Sequence, residues 1–311
     1  MKFEDVENAR ITYKNVLTKR MSIAFGVVIL IFLITFISKE SKTGATDLFD
    51  VFLTFFFFIF VSIFAATIVF LTIGKYRKTY HRAYKGYFVY NSLNSVFSKL
   101  TYEREEGISA ETLKSTGMIN TGDRYSSNDF VHGEYKDVAF TQADVCIEEE
   151  HTDSDGNTTY VTIFKGRFMI FDFPKKFAYR LEVAEKGFRA NLVPFGRSKD
   201  GKKFESIDLE SSEFNDLFNT YAEDGFEAFY ILDPALMNNI LELAEKHKGK
   251  LLFCFLDNRL IVGLKDGKDA FEPPSIFKPI DEKAETKIVA EEIGLITGFV
   301  DQLKLNRKIF K

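Results

Sequence analysis

The residues of this 311-residue chain that could do chemistry are few and scattered. Asp153, Asp155 and Asn157 stand at the spacing of the first three ligands of a calcium loop, in which alternate oxygens converge on one hard cation. The pattern fails twice: the position that needs glycine for the sharp turn is Thr158, and the closing glutamate is replaced by Phe164. An ordinary acidic hairpin turn is expected instead. Glu148, Glu149, Glu150 and His151 put carboxylates beside an imidazole, the material of acid and base catalysis, yet they close a strand just before that turn and read as its solvated end. His81, His132, His151 and His247 have no metal-ligand spacing, and no nucleophile elbow, phosphate-binding loop or zinc-protease motif occurs. Cys146 and Cys254 lie far apart without Cys-x-x-Cys spacing and are expected to be reduced and buried. No catalytic residue, cofactor or metal site is therefore expected.

The elements around these residues begin with two uncharged apolar runs, Met21 to Ser38 and Val51 to Gly74. At about 1.5 Å of rise per residue they reach roughly 27 and 36 Å, enough to cross a hydrocarbon core of about 30 Å. They are expected to form a transmembrane hairpin. Twenty mostly polar residues precede the first run, no small-residue cleavage pattern follows it, and a second run comes at once, which argues against a cleavable signal. Neither run holds an ionisable residue, which disfavours a transport role. Arg10, Lys14, Lys19 and Arg20 precede the hairpin and Lys75, Arg77, Lys78, Arg82 and Lys85 follow it, while the intervening loop offers only Lys39 and Lys42. By the positive-inside rule both termini are expected to be cytoplasmic. Ser22 with Gly26 and Ser62 with Ala66 are small-residue pairs that would allow close helix approach, or are scattered by composition.

At about 100° per residue, Tyr76, Tyr80, Tyr84 and Tyr87 fall on one helical face and Lys75, Lys78, Arg82 and Lys85 on the opposite one. Phe3, Val6, Tyr13 and Leu17 share a face in the N-terminal segment. The expectation is an antiparallel pair continuing the spans, its tyrosines turned inward and its basic stripe turned toward anionic headgroups, or serving only as a topology signal.

Beyond the connecting helix, which is expected to run to about Leu100, Thr101 to Asp129 is rich in Ser, Thr, Gly and acids and reads as a short helix plus loops, and strands and turns follow. Val138 to Glu150 and Tyr160 to Phe173 flank the acidic turn, Arg180 to Val183, Ala190 to Val193 and Glu205 to Leu209 are weaker strands, and a helix is expected at Ser212 to Thr220. Phe226 to Leu232 reads as a strand leading to a helix capped by Asp233 and Pro234, then a hairpin of Leu251 to Phe255 with Leu260 to Leu264. A closing helix from Glu282 to about Leu305 is expected to bury Ile288, Val289, Ile293, Ile296, Phe299 and Val300, with close packing at Gly294 and Gly298. The expected fold class is α+β: a two-helix transmembrane hairpin, then a cytoplasmic domain with antiparallel sheet and a long C-terminal helix. The expected divisions are 1–20, an amphipathic helix; 21–74, the hairpin; 75–104, the connecting helix; and 105–311, the cytoplasmic domain.

Asp129 to Gly133, Phe164 to Phe168 with Phe171 to Phe173, and Ser212 to Phe218 leading into Glu227 to Pro234 resemble the bacterial family called domain of unknown function 3137. The resemblance implies an inner-membrane protein with no established activity, associated by family context with membrane proteins of the LemA type. Phe229 and Asp233 depart from the basic residue and the Ser or Thr usual there. A net charge of −4 argues against nucleic acid as a partner. The expected function is a membrane-anchored binding or assembly module with the lipid bilayer as one partner; the alternative is a tethered enzyme, such as a hydrolase, that brings together two or more of His132, His151, Asp129 and Glu227.

Overall fold

The computed structural model describes residues 1–40, 48–173, 176–188 and 204–305. They form two compact units, Met1–Val89 with Glu272–Glu285, and Tyr90–Phe271 with Thr286–Lys311.

The first unit is built on α1 (Phe3–Glu40) and α2 (Leu48–Tyr84), the latter ending in a π-helical turn, Lys85–Val89. Both helices are long and apolar enough to cross a membrane. None of the most apolar stretch of α1 is buried, and outward side chains such as Phe25, Phe60 and Leu71 are 68%, 69% and 73% exposed. Their hydroxyl groups are satisfied within the helix: Thr67 donates to the Ile63 carbonyl and Thr72 to that of Ile68, each at 2.9 Å, as an apolar surrounding requires. Phe32 meets Phe58 edge to face at 5.0 Å between the helices. Gly26 does not mark a close approach, since nothing lies within 4 Å of where its Cβ would stand. In Glu272–Glu285, Pro273, Pro274 and Pro279 keep the chain irregular until α8 (Glu282–Gln302) starts.

The second unit is an antiparallel sheet whose strands, among the described residues, run in the order β1-β2-β3-β4-β9-β8-β5-β7-β6. They are β1 (Ser98–Glu103), β2 (Arg124–Tyr135), β3 (Val138–Thr152), β4 (Thr158–Asp172), β5 (Leu181–Glu185), β6 (Glu205–Ile207), β7 (Phe218–Ala222), β8 (Lys250–Leu256) and β9 (Arg259–Lys265). Alternation divides their side chains between two layers. Ala143, Val145, Ile147, Phe164, Phe168 and Ile261 pack with Ile108 and with Leu113 of α4 (Ala110–Thr116). On the opposite face Phe171 and Phe253 meet Phe299 of α8, each at 6.2 Å between ring centroids.

The α+β class, the antiparallel sheet and the C-terminal helix agree with the sequence reading, and several elements differ. The helix that follows the π turn, α3 (Tyr90–Val96), stops short of Leu100, and β1 and β2 occupy stretches that read as helix and loop. The helix expected to run to Thr220 is α5 (Ser212–Leu217), after which β7 begins. Phe226 to Leu232 is not a strand: α6 (Gly225–Ile231) forms because Asp224 caps it, accepting from the Glu227 amide at 2.8 Å. Asp233 caps α7 (Pro234–Lys246) as expected, accepting from the Leu236 amide at 2.7 Å. Ile288 is exposed rather than buried, and Gly294 and Gly298 face open space, so no close packing explains them. Ala190 to Val193 lies outside the described residues.

Candidate functional site

In the first unit the four tyrosines line a collar between α1, α2 and the Glu272–Glu285 segment. Tyr80 and Tyr84 are buried, and Tyr76 and Tyr87 are half-buried. Tyr80 packs against Tyr13 at 6.5 Å and Tyr87 against Phe3 at 6.1 Å, with Val6 wholly buried; the Arg20 guanidinium lies 5.8 Å from the Tyr76 ring centre. The hydroxyl groups are used as well. Tyr80 donates to the Pro274 carbonyl at 3.1 Å, Tyr84 to Glu285 Oε2 at 2.8 Å, and Tyr87 to Glu282. Burial pushes the Tyr80 and Tyr84 phenols up, and the bond to Glu285 adds to the effect at Tyr84. Arg10, buried among these groups, donates to Glu7 (Nε to Oε2, 2.8 Å) and to the Ile276 carbonyl. That pairing raises Arg10 and lowers Glu7. Of the basic stripe, Lys75, Lys78 and Arg82 are exposed, but Lys85 is buried and lies 3.1 Å from Glu272, so it departs from an outward-facing set.

The polar residues expected to converge in an enzyme have four different settings. His132 is exposed on β2, 3.2 Å from Thr141 Oγ1, and His151 is exposed near the end of β3. Glu227, in the first turn of α6, accepts from the Ala178 amide at 3.1 Å. Only Asp129 is buried. The acidic hairpin turn is closed on itself, with Asp153 accepting from the Asp155 and Asn157 amides at 3.0 and 2.8 Å. Those bonds, led by the ones from Asn157, hold its carboxyl below the usual range. Both cysteines are free; Cys254 is buried, whereas Cys146 is only partly so.

Asp129 belongs to a buried polar cluster that the sequence reading did not assemble. It sits at a break in the β2–β3 register after Asn128, with a left-handed backbone (φ +53). Tyr102 donates to its Oδ1 at 2.6 Å, and Asn128 Nδ2 bridges its Oδ2 at 2.9 Å to Asp269 Oδ1 at 3.2 Å. Asp144 on β3 is 3% exposed; its Oδ2 accepts from the Ala270 amide at 2.7 Å, and its carboxyl faces that of Asp269. Its Oδ1 meets no donor among the described residues. Burial first, then Asp269 and the charge of Asp129, hold Asp144 well above the usual carboxylate range.

Arg167 stands opposite Asp144 in the β3–β4 register, itself buried, and donates to Glu292 Oε2 at 2.6 Å and Asp266 Oδ2 at 3.5 Å. The residue before it must be glycine: at Gly166 (φ +151) a Cβ would stand 2.0 Å from the Leu264 carbonyl oxygen. Gln142, two residues before Asp144, is fully buried, and both its side-chain polar atoms are unbonded among the described residues. The signal that could have found this cluster is the placement of Asp144 and Arg167 inside otherwise apolar strand patterns.

Residues 162–305, which carry Arg167, Asp266, Asp269 and Glu292, match the model of the family described as "Protein of unknown function (DUF3137)". The family resemblance holds over those residues. No curated protein sequence matches the chain. Among solved structures, the crystal structure of the mycobacterial trehalose monomycolate transport factor A, TtfA, is similar over 72% of this chain and 94% of that one, at 11% identity and a TM-score of 0.38. That likeness is too distant to carry a functional assignment.

Proposed function

We propose that the chain is a membrane-anchored binding or assembly module, held in a bacterial inner membrane by α1 and α2 with both termini cytoplasmic. The anchoring reading rests on the apolar outer surfaces of the two helices, which would be strongly unfavourable in water at about 1.5–3 kcal/mol for each large side chain. The basic residues at both flanks support the orientation. Lys75, Lys78 and Arg82, all exposed, are the residues through which anionic headgroups would be contacted.

The observation that carries binding rather than chemistry is α6. Phe226, Phe229 and Tyr230 are 87%, 46% and 68% exposed within one seven-residue helix. Glu223, Asp224, Glu227 and Asp233 surround them in sequence. An apolar patch with an acidic rim suits a partner that presents an apolar side chain flanked by lysine or arginine. A membrane protein of the LemA type, suggested by family context, is one source of such a segment.

Two measurements test the reading. A cysteine at position 43, between the helices, should react with a membrane-impermeant reagent from the outer side, and one at Asn94 should not, in a Cys146→Ser background. Reversed labelling overturns the orientation. A photoreactive group at Phe229 should capture a membrane-protein partner in native membranes, and the combined Phe226→Ala and Tyr230→Ala change should abolish that capture.

A further inference from the structure

We propose that Asp129, Asp144 and Asp269 form a binding site for a hard divalent cation of the calcium or magnesium class. The three carboxyl groups come from different stretches of the second unit: the irregular point of β2, the middle of β3, and the connection after β9. Carboxylate oxygens of Asp129 and Asp269 lie within 4.8 Å of one another, and the Asp144 carboxyl faces Asp269.

Among the described residues Asp144 is short of a donor. Tyr102 and Asn128 supply Asp129, Asn128 also reaches Asp269, and the Ala270 amide supplies one oxygen of Asp144. The other Asp144 oxygen is buried with no donor, although it belongs to a group that is among the most costly to desolvate unpaired. Arg167, the cation facing Asp144 across the register, is committed to Asp266 and Glu292. Asp144 thus presents to its neighbours a buried oxygen with no donor among the described residues.

The donor set selects the kind of ion. It is all oxygen, with no histidine or cysteine among the three, which suits a hard cation and not zinc or copper. Rotation of the Asn128 carboxamide would add a fourth oxygen, since the placement of its O and N is inferred from the surrounding bonds. Asp269 is partly exposed and gives an ion a route in from solvent. An ion bound here would meet the Asp144 oxygen that has no donor among the described residues.

The test uses the full-length chain in detergent, stripped with a chelator near neutral pH. Calorimetric titration with calcium chloride and, separately, magnesium chloride should show one saturable ion per chain for at least one of them. The same ion should raise the thermal midpoint. Asp144→Asn and Asp269→Asn should each weaken binding by about tenfold or more. Should Asp144→Asn fail to fold, Asp269→Asn keeps the test, joined by terbium emission excited through Tyr102, which should vanish in Tyr102→Phe and be displaced by the winning ion. Absence of binding by both ions up to about 1 mM, or binding that survives Asp269→Asn, overturns the site.

Discussion

The tyrosine collar of the first unit and the aspartate cluster of the second both bury polar groups, and they finish them differently. In the collar the hydroxyls of Tyr80, Tyr84 and Tyr87 each find an oxygen and Arg10 is matched by Glu7 and a carbonyl, with one buried Arg20 nitrogen left unbonded among the described residues. In the cluster Asp144, and on the same strand Gln142, keep polar atoms unbonded among the described residues although both are almost wholly buried. A completed network specifies one arrangement of the chain, whereas an incomplete one holds free energy that a ligand or proton can release.

The comparison breaks most readily at Arg167. Arg167→Ala should destabilise the second unit by about 3–5 kcal/mol in denaturant unfolding, because it leaves the Asp266 and Glu292 carboxylates without their buried guanidinium. A loss comparable to that of a surface substitution would mean that this part of the cluster is as complete without the arginine. Asp144 sharpens the contrast through pH. The folded chain holds this proton more tightly than the unfolded chain, so the stabilisation is full below the ordinary carboxylate range and drains away as pH rises through the raised folded value. With chelator present, the thermal midpoint of the native sequence should fall with pH above that range. Asp144→Asn should remove this component of the slope.

Smaller effects are expected where networks close on themselves or where side chains are exposed. Tyr84→Phe leaves Glu285 without its phenol donor and should cost about 1 kcal/mol, with no change in any ion response of the cluster. Phe226→Ala with Tyr230→Ala should move stability by no more than about 0.5 kcal/mol per position while abolishing partner capture at α6. A large drop in stability would show that these rings serve the fold and not a partner.

Much of this arrangement was legible in the chain. The apolar runs, the tyrosine face, the capped α7 and the β8–β9 hairpin all follow from periodicity and turn chemistry, which act locally. What escaped is what tertiary context decides. β2 reads as loop because Arg124, Ser126, Ser127 and Asn128 carry little of the apolar alternation that marks a strand, and pairing with β3 supplies what they lack. The aromatic run in α6 looks like a strand until the Asp224 cap is weighed against it. Asp129 could be singled out by eye, but its partners could not, since Tyr102, Asp144 and Asp269 meet it only through strand register and a connection more than 100 residues away.

The return of Glu272–Glu285 to the first unit sets an order of assembly. Tyr80 waits for Pro274 across 194 residues and Arg10 waits for Ile276 across 266, so the nascent chain must release the whole of the sheet before the collar can close. The entropy of closing so long a loop grows only slowly with its length, which keeps the late step affordable. Until then Arg10 and the phenols stand beside α1 and α2 without these acceptors. A product cut off before Glu272 would lack both acceptors permanently and could never close the collar.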